Sequence, residues 1–297
     1  MKIYAIVVTY NGKKWYDRCF GSLRDSETPV ETIVIDNASS DDTVEYIKNH
    51  FPKVHLIESK ENLGFAKANN IGIRYAIDHD ADYVFLLNQD AWVEKDTLTK
   101  LVQTFEDNEN VGIASPIHLN GSYTDIDFAF GNCLPSKCIS DLYYNRDVTY
   151  YEVPFVNAAA WLLSSECIKK VGGFDTLLFR HYGEDNNYCQ RLSYHNLRVY
   201  VNMHCTICHD RESRKDAIGQ NPLWNHVNEK VDLRLNMGDI NKEIDMADKI
   251  KKAKRKRLQC SILLCKSKAK EYGELIADYC LIDDSREKNK KKGLNWL

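Results

Sequence analysis

Short apolar runs alternate with amphipathic stretches over the first hundred residues. Residues 3–8 are continuously apolar and rich in β-branched side chains, which predicts a strand buried on both faces. Further strands are predicted over 32–35, 54–57 and 83–87, and amphipathic helices over 15–23, 43–49, 66–77 and 95–105. Strands alternating with helices of this length predict an α/β chain whose mostly parallel, Rossmann-like sheet is flanked by helices. The alternation fails after about Gly112. Residues 120–155 read as loops and short strands, and 153–163 as a long apolar stretch around Asn157 and Trp161. A helix over 165–171 then stops at Gly172-Gly173, followed by a loop over 176–183 and a helix over 184–194. Two short strands are predicted over 198–201 and 206–207, ending at Cys208-His209. From about residue 222 the chain is helical and charged. The expected organisation is a body over 1–220, with halves 1–115 and 116–220, and a helical C-terminal appendage over 221–297.

The predicted strands of the first half end in polar residues, and in open parallel sheets ligands bind beyond the carboxyl ends of the strands. The first strand ends in Thr9-Tyr10-Asn11-Gly12, the second at Asp36, and the fourth in Asn88-Gln89-Asp90. Side-chain oxygens at Asn88 and Asp90 suit a hard divalent cation, although such residues also form ordinary turns. Neither a Gly-x-Gly-x-x-Gly loop nor a phosphate loop ending in Gly-Lys-Ser/Thr follows a strand, so the dinucleotide and P-loop sites are excluded. Asp36 at a strand end can instead bond a base or ribose. Cys205-Thr206-Ile207-Cys208-His209 has the letters of a haem-attachment motif, but haem attachment follows export and no export signal is evident. A zinc site would want a second close pair, which Cys133 and Cys138 do not supply. His209 remains a candidate metal ligand at a strand end. Glu184 and Asp185 open a helix, where acidic groups are favoured by the helix dipole and where one of them could also act as a general base. Arg191, two turns on, shares that face and could orient a carboxylate.

Charge divides the chain. Residues 211–297 hold 21 Lys/Arg against 14 Asp/Glu, a net +7, whereas 1–210 hold 19 against 29, a net −10. An acidic body argues against nucleic acid as a partner. No apolar run approaches the ~18 residues of a membrane span, and the ten cysteines form no framework, so reduced thiols in the cytoplasm are expected. Seven of the nine residues 249–257 are Lys or Arg, and Leu258, Ile262 and Cys265 follow on one helical face. Residues 249–270 therefore either bind an anionic membrane surface peripherally or pack on protein, including a second copy in a homodimer.

Six stretches in order resemble a family 2 inverting glycosyltransferase of GT-A fold, near the bacterial rhamnosyltransferase-like branch. They are Val7-Val8-Thr9-Tyr10-Asn11, Ile35-Asp36-Asn37-Ala38-Ser39-Ser40-Asp41, residues 61–70 beginning Glu61-Asn62-Leu63-Gly64-Phe65, Leu86-Leu87-Asn88-Gln89-Asp90, Gly172-Gly173-Phe174-Asp175 and Gly183-Glu184-Asp185. The resemblance covers residues 3 to about 210. It implies a nucleotide-sugar donor (a UDP- or dTDP-sugar), a divalent cation (Mn or Mg), and a glycan or lipid-linked glycan acceptor in cell-surface polysaccharide synthesis. It implies that Thr9, Tyr10, Asn11 and Asp36 form the base and ribose pocket, and that Asn62, Gly64 and Lys67 lie beside the nucleotide. Asn88, Gln89 and Asp90 stand at the metal motif, with Asp90 and His209 as ligands. Asp185 matches the general base, with Glu184 as the fallback, and Asn157 and Trp161 line the acceptor side. Three positions depart from the family pattern: Asn88 replaces an acidic residue, Asn187 replaces an aspartate, and Ala158-Ala159-Ala160 replaces a glycine-containing stretch. A sugar nucleotidyltransferase and a non-catalytic nucleotide-sugar-binding scaffold are the rival expectations.

Overall fold

Along β1 (Ile3–Thr9), Ile3, Ala5 and Val7 face one side of the sheet and Tyr4 and Ile6 the other, all no more than 2% exposed. Burial on both faces is what a continuous apolar run encodes, and each such side chain contributes ~1.5–3 kcal/mol when fully buried. The computed structural model describes residues 1–180, 182–212 and 223–297; the expected domain boundary at 220 lies outside them. After β1 come α1 (Lys13–Arg24), β2 (Glu31–Asp36), α2 (Thr43–His50), β3 (His55–Glu58), α3 (Gly64–Asp78) and β4 (Tyr83–Asn88). Next are β5 (Ala91–Val93), α4 (Thr97–Asp107), β6 (Val111–Asn120), α5 (Phe128–Gly131), α6 (Ser136–Tyr143), β7 (Tyr150–Val153) and β8 (Ala160–Ser164). Then follow α7 (Ser165–Val171), α8 (Glu184–Tyr194), β9 (Arg198–His209), α9 (Leu223–Gly238), α10 (Met246–Ile262) and α11 (Lys266–Asn289).

The sheet runs β3-β2-β1-β4-β8-β6-β9-β5, with β7 also on β9. The β3-β2-β1-β4 block is parallel, as strand–helix alternation requires. Beyond it β6 and β9 pair parallel while β8, β5 and β7 pair antiparallel, so a parallel block is continued by a mixed second half. Helix α3 covers one face of the parallel block, while α1 and α4 cover the other.

Three expectations for the second half need correction. Residues 120–155 contain two short helices: Asp127 caps α5 by accepting the Phe130 N–H, and Pro135 precedes α6. The two short strands over 198–201 and 206–207 are one strand, β9, whose register against β6 slips between Pro116 and Ile117. At that slip Asn202 turns its side chain inward, donating to the Lys100 carbonyl and accepting the His204 N–H. The three-residue strand β5 was not foreseen, because it is too short to show a period.

The C-terminal appendage is clasped to the body. Asp175 accepts the N–H groups of Leu177 and Leu178 on one oxygen, and the Ser285 hydroxyl and Asn289 amide of α11 on the other. Asn289 also accepts from His195 through its carbonyl, at 3.0 Å. The last residues fold back as well: the Gly173 N–H donates to the Asn295 carbonyl at 2.8 Å, and Asn70 bridges the Phe174 and Trp296 carbonyls. The Gly172-Gly173-Phe174-Asp175 stretch is thus a docking clasp. Gly172 has φ +84, and a Cβ there would lie 2.3 Å from the Asn295 carbonyl oxygen. Gly172→Ala is therefore expected to destabilise the protein by ~2–4 kcal/mol, read as a lowered urea midpoint. An unchanged midpoint would mean that the C-terminal segment does not dock here.

Candidate active site

The parallel register aligns the polar strand ends: Thr9 stands opposite Asp36, and Val8 opposite Asn88. Asp36 is 2% exposed and accepts from the Thr9 hydroxyl at 3.0 Å and from the Ser39 N–H and hydroxyl at 2.9 and 2.6 Å. Its carboxylate thereby shapes the loop after β2. Asn11, at φ +47, ties the β1 loop to that one, donating to the Ser39 and Ser40 hydroxyls and accepting the Ser40 N–H. Gln89 does what its neighbours do not. Its amide accepts the Tyr10 N–H and donates to the Tyr10 carbonyl, closing the loop from below. A Cβ on Gly12 would stand 2.3 Å from that amide oxygen, so a larger residue there would push the Gln89 side chain out of this contact. The Tyr10 ring is left 46% exposed at the mouth of this pocket.

The next wall is the 61–65 turn. Asn62 accepts the Gly64 N–H, and Gly64 takes φ +77. Asn37, which sequence reasoning quoted without assigning a role, accepts the Leu63 N–H and donates to the Gly64 carbonyl, so it pins this turn to the β2 loop. Lys67 stands exposed one turn into α3.

Strand β5 decides the metal side. Its pairing with β9 sets Ala91 opposite His209, and the Asp210 N–H donates to the Asp90 carbonyl. Residues separated by more than a hundred positions thus meet: Asp90 Oδ1 and the Asn88 amide each lie 3.4 Å from His209 Nε2. Behind the ring, His209 Nδ1 lies 3.9 Å from Asp127, which also forms an ion pair with Arg211 Nε at 3.0 Å. Asp127 and Arg211 were missed from sequence, since Asp127 fell in a stretch read as loop and neither sits at a predicted strand end. Among the described residues no three His, Cys, Asp or Glu groups converge as a complete metal cage. One carboxylate and one imidazole whose second nitrogen faces a carboxylate do fit a divalent cation that takes its other ligands from a diphosphate. The Cys205–Cys208 pair is no part of this: both thiols are buried in β9 and pushed upward by burial.

The acidic pair stands at the start of α8, after Gly183 at φ +90. Burial raises the Asp185 carboxyl, opposed by the N–H groups of Asn186 and Ala158, its own N–H and the Arg211 charge. Asp185 therefore looks across to the segment after β7 and to Arg211, which in turn holds Asp127 beside His209. Glu184 is pushed up to about 7, first by burial and then by the adjacent Asp185. Buried polar atoms with no hydrogen-bond partner among the described residues fall around the same place: both amide atoms of Asn157 and Asn187, Trp161 Nε1 and Glu184 Oε2. Such atoms are uncommon in folded interiors and mark polar sites.

Two sequence expectations fail here. Trp161 is 0% exposed and packed against Phe174 and Tyr188, so its ring is a core residue and not an exposed contact for an acceptor. Arg191 does not orient a carboxylate; it donates to the Gly173 and Val171 carbonyls and caps the end of α7.

A glutamate whose carboxyl is raised by burial and by the neighbouring Asp185 carries a stability signature. Its raised folded value means that its contribution is fully present below the ordinary value of 4.5 and is lost as pH rises toward about 7. Glu184→Gln, neutral at every pH, is expected to stabilise the protein at pH 8 by ~1–3 kcal/mol and to flatten the slope of stability between pH 4.5 and 7. Equal pH profiles of urea stability for the variant and the wild type would refute the buried state of Glu184.

The strand ends thus gather the loops after β1, β2 and β3, a carboxylate–imidazole pair and an acidic helix start on one side of an α/β sheet of GT-A type. The sequence profile described as glycosyl transferase family 2 matches residues 4–172, and the chain belongs to that family. A relative from Shigella flexneri, described as dTDP-rhamnosyl transferase RfbF, is 30% identical over 200 residues, covering 67% of this chain and 66% of its own length. The Haloferax volcanii low-salt glycan biosynthesis hexosyltransferase Agl10 is 24% identical over 65% of this chain and 62% of its own. Among solved structures, S. aureus TarS 1-349 superposes with a TM-score of 0.57 at 18% identity, covering 84% of this chain and 68% of that one. The Pyrobaculum calidifontis mannosyltransferase PcManGT, solved with GDP-Man and Mn2+, gives 0.54 at 18% identity over 97% and 86%. The alignments span 66% and 62% of the Shigella and Haloferax relatives' own length, under two thirds of each. Membership of this family sets aside the sugar nucleotidyltransferase expectation.

Proposed function

We propose that this enzyme moves a hexosyl or deoxyhexosyl group, with inversion, from a UDP- or dTDP-sugar to a hydroxyl of a glycan or lipid-linked glycan in cell-envelope polysaccharide synthesis. The observation that carries this reading is the convergence of Asp90 and His209 beyond the sheet, linked through Asp127 and Arg211 to Asp185. A divalent cation, Mn or Mg, bound by Asp90 and His209 would act as a Lewis acid toward the diphosphate leaving group. The loops of Thr9–Asn11, Asp36, Asn62–Gly64, Lys67 and Gln89 hold the nucleotide, with Asn88 beside it. Asp185 accepts the acceptor hydroxyl's proton as the new bond forms, and Asn157 contacts the acceptor. One attack opposite the leaving group inverts the anomeric carbon, so a single base suffices. The dTDP-rhamnosyl description of the Shigella relative favours a dTDP-deoxyhexose donor. The chain works in the cytoplasm against the inner membrane face; among the described residues no helix is long and apolar enough to cross a membrane.

A thermal-shift screen of nucleotide sugars, with and without Mn2+, tests the reading. The matching donor at ~100-fold excess over its dissociation constant stabilises by ~2.7 kcal/mol, and Mn2+ enlarges the shift. If no nucleotide sugar shifts the midpoint and no metal-dependent donor hydrolysis occurs, the reading fails.

A further inference from the structure

We propose that the tip of the α10–α11 hairpin is a membrane wedge that seats on an anionic lipid bilayer. It extends the reading that the acceptor is lipid-linked, but the binding is measurable without acceptor or donor.

The two helices are joined by three residues, and the turn gathers Leu258, Ile262, Leu263 and Leu264, which are 62, 71, 71 and 79% exposed. Helix α10 closes with the Leu263 N–H on the Gln259 carbonyl, and the Cys265 N–H reaches the Cys260 carbonyl at 2.8 Å. Leu264 then adopts φ +56, a region that glycine or asparagine enters with less strain. A leucine there gains neither packing nor backbone ease within the chain. Four large apolar side chains at one exposed turn are a patch that water disfavours.

Charge identifies the occupant. Residues 249–270 carry ten Lys/Arg and no Asp/Glu, flanking the turn from both helices. Lys254, Arg255, Lys256, Lys266, Lys268 and Lys270 are all exposed. Lys256 leans on the Tyr272 ring, and the Arg257 guanidinium lies by Gly273, so the basic side chains of α10 are braced by α11. A groove of 580 Å³ runs along α10, lined by Ala247, Ile250, Lys251, Lys254, Arg255 and Leu258, with Asp283 of α11 as its one acidic side chain. An apolar tip ringed by cations matches acyl chains below anionic headgroups. The fastening of α11 to the body lies at its other end, around Ser285 and Asn289, ~30 Å along the helix from Lys266 at 1.5 Å per residue. The tip can therefore engage a surface without disturbing the clasp.

The test uses the full chain and vesicles of phosphatidylcholine alone or with phosphatidylglycerol. Wild type should co-sediment with anionic vesicles and release as salt rises. Leu263→Ser/Leu264→Ser should lower partitioning about tenfold or more. Lys266→Ala/Lys268→Ala should lower it about twenty-fivefold, at about fivefold per charge. All of these positions are exposed, so thermal midpoints should match wild type. Equal binding to neutral and anionic vesicles, or tip variants that bind as well as wild type, would overturn the proposal. So would sedimentation showing that the tip variants abolish a wild-type dimer while vesicle binding is unchanged. Donor hydrolysis should be the same in tip variants and wild type. Its absence from both would count against the transferase reading and leave the vesicle result standing.

Discussion

Asp90→Asn is expected to lower sugar transfer by ~10²–10³-fold or more, because charge stabilisation of a leaving diphosphate by a metal ion is worth several kcal/mol. The same variant should lose the Mn2+-dependent part of the thermal shift given by the nucleotide. Asparagine keeps the volume of a side chain that is 2% exposed, so the fold should persist, as a near-native thermal midpoint would show. The change must conserve volume because this strand-end carboxylate is buried against His209. His209→Gln should reproduce the loss. Transfer by Asp90→Asn at close to the wild-type rate, with unchanged Mn2+ dependence, would remove the metal assignment.

Asp185→Asn should reduce kcat by ~10²–10⁴-fold, the usual cost of losing a general base, with the donor dissociation constant nearly unchanged. A base acts only in the transition state, so ground-state binding is spared. Glu184→Gln tested beside it should keep most of its activity. The pH dependence separates the pair. A base must be deprotonated, so the rate falls as pH drops through its own pKa. With Asp185 as the base, the acid limb lies above the ordinary aspartate range, because burial raises that carboxyl. With Glu184 as the base, the limb would centre near 7. Weakened donor binding with unchanged kcat in Asp185→Asn would make Asp185 a binding residue.

The local code of the first hundred residues is direct. Ile3 to Val8 can be buried on both faces only in the middle of a sheet, and a strand–helix alternation leaves little freedom but parallel crossovers. Polar residues that end such strands must face the same edge, which is why Thr9, Asp36, Asn88 and Asp90 were legible as one site. That code is short-range: it reports which face a residue prefers, not which distant segment arrives there. Only the pairing of β5 with β9 set His209 against Asp90, and only the loop before α5 placed Asp127 behind the imidazole. Trp161 and Arg191 looked functional because their residue types often are. Their burial was decided by Phe174, Tyr188 and the carbonyls that end α7, all remote in sequence or unreadable as partners. The basic tail was legible as a helix with an apolar flank. How Asp175 and Gly173 clasp the far end of α11 and the last residues depends on contacts across more than a hundred residues, which no local period encodes.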